Sequence, residues 1–304
     1  MSTVDELLDI AREAAVAGAG VLAERDDVAP AGLMLGGSEV ETKSSVSDLV
    51  TDFDRRSEQA VRAVLERRRP EDTVTGEEYG TVRPQGATGY RWSIDPLDGT
   101  TNFVRGIIYY GTSVAVQDPE GRWVAGVVHA PALKRIWWAA RDRGAFTDRL
   151  QGEGPGSPAQ ERVRLQGPQG SLAAGLLSTG FGYDPDRRAQ QTAAVSAMLG
   201  SFGNLRRLGA AALDICMVAD GTVDAYAEFG IQEHDWSAAA LIAEEAGVPV
   251  RRPAVADSSV AGDWCVVGDI GMPHTRLRPL PLGLAGENTA EEQEGGQAQD
   301  GVAG

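Results

Sequence analysis

Cysteine is nearly missing from this 304-residue chain, which has only Cys216 and Cys265, both in apolar contexts. That excludes a disulfide-stapled scaffold. With no CxxC and no Cys/His cluster, it also excludes a structural zinc site. Two buried thiols are expected instead. Lysine is confined to Lys43 and Lys134, and the remaining basic residues are arginines, a bias read as genomic composition. Basic charge is outnumbered: the formal net charge is −16 and the sequence pI about 4.6. Such a field repels nucleic-acid phosphate and anionic membrane surfaces, and it opposes phosphorylated substrates unless cations are bound first. No stretch of ~18 apolar residues exists, nor a basic segment leading into a long apolar one, so a soluble cytoplasmic protein is expected. Several phosphate-handling motifs are also missing. There is no DxDx[TV] for an aspartyl nucleophile and no GxxxxGK[ST] for a nucleotide. Neither cysteine starts a CxxxxxR loop.

What is present is a globular pattern, 42% hydrophobic, long enough for one large domain or two modest ones. Thr3-Val4-Asp5-Glu6 fits a capping box, and Leu7, Ile10, Ala14, Ala17 and Val21 then form a helical face. A loop is expected from Asp26 to Glu39. A second helix follows with Phe53, Ala60, Val61, Val64 and Leu65 as its apolar positions, ending at Arg69-Pro70. "DTVTGEEYG" reads as a short strand breaking at Gly76. Between Arg91 and Thr147, "TSVAV", "RWVAGVVHA" and "RIWWAA" read as strands, with a turn at Asp118-Pro119-Glu120-Gly121. The polar loop at 151–160 divides an N-terminal subdomain (1–150) from a C-terminal one (151–284). In the latter "AAVSAMLGSF" reads as helix, "GTVDAYAEF" as strand, and "DWSAAALIAEEAG" as a helix ending at Gly247. Residues 285–304 form an acidic tail without aromatic or basic residues, disordered by composition. Trp137-Trp138 reads as one core and one edge side chain, and Glu244-Glu245 as one solvated and one hydrogen-bonded carboxylate. His129 and His274 read as structural.

The chemistry concentrates in Asp95-Pro96-Leu97-Asp98-Gly99-Thr100-Thr101-Asn102-Phe103. Pro96 keeps Asp95 extended, and a turn at Gly99 can bring Asp98 round beside it. Two adjacent carboxylates repel unless a cation lies between them, and hard oxygen donors suit Mg²⁺. If Gly99 and Thr100 open a helix, their free amides face an anion. Further carboxylates stand at Glu77-Glu78 and at Asp235, while Lys43, Asp48 and Asp54 lie upstream.

In "KSSVSDLVTDFD", "GEE", "WSIDPLDGTTNF", "STGFGYD", "RRLGAAALDICMVADGTVDAYAEFG" and "DWSAAALIAEEAG", in this order over roughly residues 5–275, the sequence resembles the inositol monophosphatase family of Mg²⁺-dependent, lithium-sensitive sugar phosphatases. The resemblance implies an α+β fold, a five-layer αβαβα sandwich, with two or three Mg²⁺ ions per site and a homodimer. Glu77, Asp95, Asp98 and Asp235, with the Leu97 carbonyl, would ligate metal. Thr100 and Asp54 would activate the attacking water, and the Gly99 and Thr100 amides would hold phosphate. Glu228, near Ala211, would face the substrate hydroxyls together with His234. Lys43, Asp48 and Glu78 would belong to a mobile loop and a third metal. The implied activity is hydrolysis of a small polyol phosphate, myo-inositol 1-phosphate first. Histidinol phosphate is the alternative substrate, and a metal-binding regulatory module the alternative of a different class. Departures from the family pattern fall at Arg105, Ile108, Ala210, His234 and Val248, none of them a ligand.

Overall fold

The Thr3 hydroxyl starts the first helix by accepting the Glu6 amide at 3.1 Å. This helix, α1 (Val4–Ala23), buries Leu7, Ile10, Ala11, Ala14, Ala15, Gly18, Ala19 and Leu22. Ala17 and Val21, expected on the buried face, are only half-buried. The face is rotated towards the small residues, because Gly18 lets α1 approach closely. A Cβ there would meet Val61 Cγ2 at 2.8 Å and Thr112 Cγ2 at 2.9 Å. The computed structural model describes residues 3–25, 40–42, 49–151, 159–182, 185–253 and 263–272. The expected Asp26–Glu39 loop, His274 and the acidic tail lie outside the described residues.

A short antiparallel ribbon, β1 (Val40–Thr42) with β2 (Leu49–Thr51), leads into α2 (Asp52–Arg68). Then come β3 (Thr73–Gly76), β4 (Gly80–Val82), β5 (Arg91–Asp98), α3 (Thr100–Arg105), β6 (Gly111–Gln117), β7 (Trp123–Ala130), β8 (Arg135–Ala140), β9 (Gly144–Leu150) and β10 (Ala159–Arg164). These strands form an eight-stranded sheet in the order β10-β9-β8-β7-β6-β5-β3-β4. It is antiparallel except where β3 runs parallel to β5. The segment after the 151–160 loop therefore still belongs to the first sheet.

The rest of the chain alternates: β11 (Leu176–Ser178), α4 (Pro185–Leu199), β12 (Asn204–Arg206), α5 (Ala211–Ala219), β13 (Ala225–Phe229), α6 (Glu233–Glu245), β14 (Val250–Arg251) and β15 (Trp264–Val267). Its sheet has the order β12-β11-β13-β15-β14. Helices α1 and α2 cover one face of the large sheet, and α5 and α6 fill the space between the sheets. Val195 and Met198 of α4 pack with Leu177, Ala227 and Phe229 on the outer face of the small sheet. The layers are thus αβαβα, as expected.

The middle layer depends on small side chains. The Ala238-Ala239-Ala240 run of α6 lies so near β7 that a Cβ on Gly126 would meet Ala238 Cα at 2.9 Å. Cys216 and Cys265 are buried free thiols. Trp137 and Trp138 are both buried, so neither is an edge residue. Trp138 stacks on Phe146, and the Arg12 and Arg162 guanidinium groups cover its ring. Neither Glu244 nor Glu245 is a solvated carboxylate. Glu244 pairs with Arg141 and Arg252, and Glu245 accepts the Asp142 and Gly144 amides. Among the described residues no helix is long and apolar enough to cross a membrane.

Candidate active site

Strand β5 runs through Asp98. Its pairing with β6 slips between Asp95, opposite Ser113, and Asp98, opposite Gly111. Three steps on β5 match two on β6, which is a β-bulge. In an unbroken strand residues three apart point to opposite faces. The slip cancels that difference, so the bulge at Pro96-Leu97, rather than the turn at Gly99, brings the two aspartates to one side. The Pro96 carbonyl, displaced from the ladder, accepts the Ser57 hydroxyl at 2.9 Å and the Thr112 hydroxyl at 3.0 Å. Gly99 then takes φ +91° as the N-cap of α3, where a Cβ would meet the Tyr109 carbonyl oxygen at 3.0 Å.

One cavity of about 490 Å³ is lined by Glu77, Asp95, Leu97, Asp98, Gly99, Thr100, Ala211, Glu228, His234 and Asp235. Asp54 lies behind Thr100, fully buried at the start of α2. Its Oδ2 accepts the Thr51 amide at 2.7 Å and the Thr51 hydroxyl at 2.6 Å, and its Oδ1 is 3.1 Å from the Thr100 hydroxyl. That hydroxyl is also 3.1 Å from the Leu97 carbonyl oxygen. Glu78 does not line the cavity, and its amide is engaged by Glu58. Lys43 and Asp48 lie outside the described residues.

The electrostatics are those of crowded, desolvated carboxylates. Burial, then the charges of Glu77, Asp98 and Asp235, holds the Asp95 carboxyl well above its usual range. Asp98 is also raised, by burial and then by Asp235 and Asp214, although the α5 amides oppose this. Those amides come from 113 and 114 residues away: Ala211 and Ala212 donate to the Asp98 carboxylate at 2.9 and 2.8 Å. Burial pushes Asp54 up to about 6, with smaller contributions from Glu77 and Glu78. Burial likewise raises Glu228 to about 7, opposed by the Tyr226 hydroxyl that it accepts at 2.8 Å. The Glu228 carboxylate lies against Gly180, where a Cβ would stand 2.0 Å from Oε2.

Among the described residues no three His, Cys, Asp or Glu groups are drawn together tightly enough to hold an ion as they stand. The oxygens of Asp98 are turned to the α5 amides, and Asp235 Oδ2 accepts the Gln232 amide at 2.6 Å in a capping box. Even so, the donor set suits a hard dication. It consists of oxygens around a buried aspartate whose raised pKa a cation would reverse. A carboxylate has lone pairs enough to serve an amide and a metal together.

Several groups at the cavity or behind it escaped the sequence reading. Arg187 and Arg207 line it, and nothing in "PDRRAQ" or "RRLG" marks them. Asp214 is buried in α5 and accepts the Tyr109 hydroxyl at 2.8 Å; burial raises its carboxyl to about 8. One acidic residue inside the apolar run "AALDICMVA" was its available signal. Asn102 Nδ2 donates to the Tyr109 carbonyl at 2.8 Å and to the Leu208 carbonyl at 2.9 Å, tying α3 to the approach to α5.

A family model described as "Inositol monophosphatase family" matches residues 3–275. An inositol-1-monophosphatase of Mycobacterium leprae is 40% identical over 221 residues, 72% of this chain and 73% of that protein. A Nus factor SuhB of Pasteurella multocida is 36% identical over 207 residues, 68% of this chain and 72% of that protein. The solved structure of Mycobacterium tuberculosis SuhB matches with a TM-score of 0.67 at 32% identity, covering 88% of this chain and 92% of that one.

Proposed function

The chain belongs to the inositol monophosphatase family, and from that premise we propose that it is a Mg²⁺-dependent phosphomonoesterase acting on a small polyol phosphate, myo-inositol 1-phosphate first. The observation that carries this reading is one cavity shared by Glu77, Asp95, Asp98 and Asp235, with the Thr100–Asp54 pair at its wall. These four side chains and the Leu97 carbonyl are the groups assigned to Mg²⁺. Bound there, Mg²⁺ would lower the pKa of a water, screen the phosphate charge and stabilise the departing alkoxide. The Thr100 hydroxyl takes the water proton while passing its own to Asp54 Oδ1, and Thr51 holds the other oxygen of that carboxylate. The Gly99 and Thr100 amides at the start of α3 receive the phosphate oxygens. Glu228 accepts hydroxyl groups of the polyol, with Ala211 and His234 beside it. Lys43, Asp48 and Glu78 are assigned to the closing loop and a third ion. A homodimer and a cytoplasmic location complete the proposal.

The likeness to proteins called Nus factor favours one second reading, a regulatory module acting through partners. The intact carboxylate set weighs against it, because a regulatory module needs no ligand beside a buried hydroxyl–carboxylate pair. A panel of inositol 1-phosphate, histidinol phosphate and fructose 1,6-bisphosphate tests both readings by kcat/KM with Mg²⁺ and with excess EDTA. Turnover that requires Mg²⁺ and peaks on the inositol ester is expected. Turnover that survives EDTA would refute the metal mechanism. No turnover on any ester, with a stable protein partner recovered, would favour the regulatory reading.

A further inference from the structure

We infer that Glu58 is a positioning residue that holds the Gly76–Gly80 turn in place, and with it the Glu77 carboxylate, for the metal site. Glu58 does not line the cavity and is fully buried on α2. Its Oε2 accepts the Glu78 amide at 2.7 Å, and its Oε1 accepts the Tyr79 amide at 3.3 Å and Arg62 Nε at 2.7 Å. Arg62 in turn donates to the Gly80 carbonyl at 2.6 Å. The two successive amides after Glu77 thus converge on one carboxylate, and the carbonyl that closes the turn is held by that carboxylate's own ion-pair partner. The missing side chain at Gly76 is what lets the carboxylate lie against this backbone, since a Cβ there would stand 2.0 Å from Glu58 Oε1. Glu77 is therefore gripped on both sides, by a backbone pressed against the Glu58 carboxylate before it and by amides bound to the same carboxylate after it.

The location on α2 gives this grip its purpose. Asp54, Glu58 and Arg62 follow one another at four-residue spacing and so share one helical face. Asp54 meets Thr100, Ser57 meets the Pro96 carbonyl in the bulge between Asp95 and Asp98, and Glu58 meets the turn of Glu77. A single rigid helix therefore sets the distances between the proton acceptor, the bulge and the ligand turn. Burying a carboxylate is costly unless it is paired and hydrogen-bonded. The donors that satisfy Glu58 come from its own helix and from the turn that it holds.

This inference rests on the proposed role of Glu77 at a metal site, so the test reads metal binding without substrate or turnover. Mn²⁺ alone is titrated into the full-length wild type, Glu58→Gln, Glu58→Ala and Arg62→Lys, with free Mn²⁺ followed by electron paramagnetic resonance. Urea unfolding of each variant is measured in parallel. Outer groups that orient metal ligands typically contribute 10–100-fold to metal affinity. Glu58→Ala is expected to weaken Mn²⁺ binding by about that factor. Glu58→Gln, whose amide oxygen can still accept one N–H, should fall in between, and Arg62→Lys should shift it least. Should Glu58→Ala fail to fold, Glu58→Gln carries the test. Variants that lose stability but bind Mn²⁺ as the wild type does would overturn the inference and make Glu58 a stabilising residue only. A wild type that binds no Mn²⁺ would remove the metal site itself and the inference with it.

Discussion

Asp54 has two duties at the residue scale. As the third residue of α2 it closes a capping box with Thr51, and its other oxygen faces Thr100. Asp54→Asn keeps the shape but removes the carboxylate proposed to accept the proton. It is expected to lower kcat by ~10²–10⁴-fold, with KM and Mg²⁺ affinity near wild type in steady-state assays. A fully active variant would mean that the pair takes no part in proton transfer. His129 is a different case. It is fully buried beneath α1, and neither ring nitrogen has a hydrogen-bond partner among the described residues. Burial, helped by the Arg12 charge, lowers its pKa from 6.5 to about 3. The unfolded chain therefore binds a proton below pH 6.5 that the folded chain refuses until about pH 3. Stability is fully present above pH 6.5 and falls on acidification, by up to ~1.4 kcal/mol per pH unit. Between pH 7 and pH 5, urea unfolding should show wild type losing about 2 kcal/mol more than His129→Leu. Parallel losses would show that the buried imidazole titrates as an ordinary one.

Two devices at the scale of elements place these residues: the bulge in β5 and the box at the start of α2. Thr51 is the N-cap and lies outside the cavity, so Thr51→Ala separates the box from the chemistry. Loss of such a cap costs ~1 kcal/mol, and thermal unfolding should show that loss. The rate should fall far less than in Asp54→Asn, because the Asp54–Thr100 contact keeps both partners. Equal losses of rate would mean that the Thr51 amide alone does not hold Asp54 in its working position and that the hydroxyl is needed as well. Helices α1, α2 and α6 were legible from apolar spacing, and the strands from β-branched and aromatic runs, whereas α5, whose amides hold Asp98, was not read as a helix. The bulge was not legible, because Pro96 announces an irregularity without saying how the partner strand slips to meet it. The buried face of α1 was misjudged for a related reason: Gly18 and Ala19 are inconspicuous in a hydrophobic pattern, yet their smallness decides how near the sheet can come.

For the molecule as a whole, the net charge of −16 and the concentration of carboxylates at one cavity point to stability linked to divalent cations. At a hundredfold excess over its dissociation constant, a ligand specific for the folded state adds about 2.7 kcal/mol. For a chain of this size that corresponds to roughly 4 °C in Tm. Scanning calorimetry with MgCl₂ should show such a rise, EDTA should remove it, and NaCl at equal ionic strength should not reproduce it. A rise of the same size in NaCl would mean that general screening, rather than a metal site, relieves the repulsion.

By itself the sequence determined the chemistry that neighbours along the chain can carry: paired aspartates three residues apart around a proline, a glycine that caps a short helix, and a helix opened by its own threonine. It also carried the family's motifs, and through them the layered architecture. Only the tertiary structure decided which distant groups serve that local chemistry. Asp98 meets amides 113 and 114 residues on, Glu228 meets Gly180 across the small sheet, and Glu58 meets the turn of Glu77. Periodicity records that a side chain is buried, because burial depends on its own polarity and spacing. It does not record which surface comes to meet that side chain, because that depends on how two separately formed elements approach.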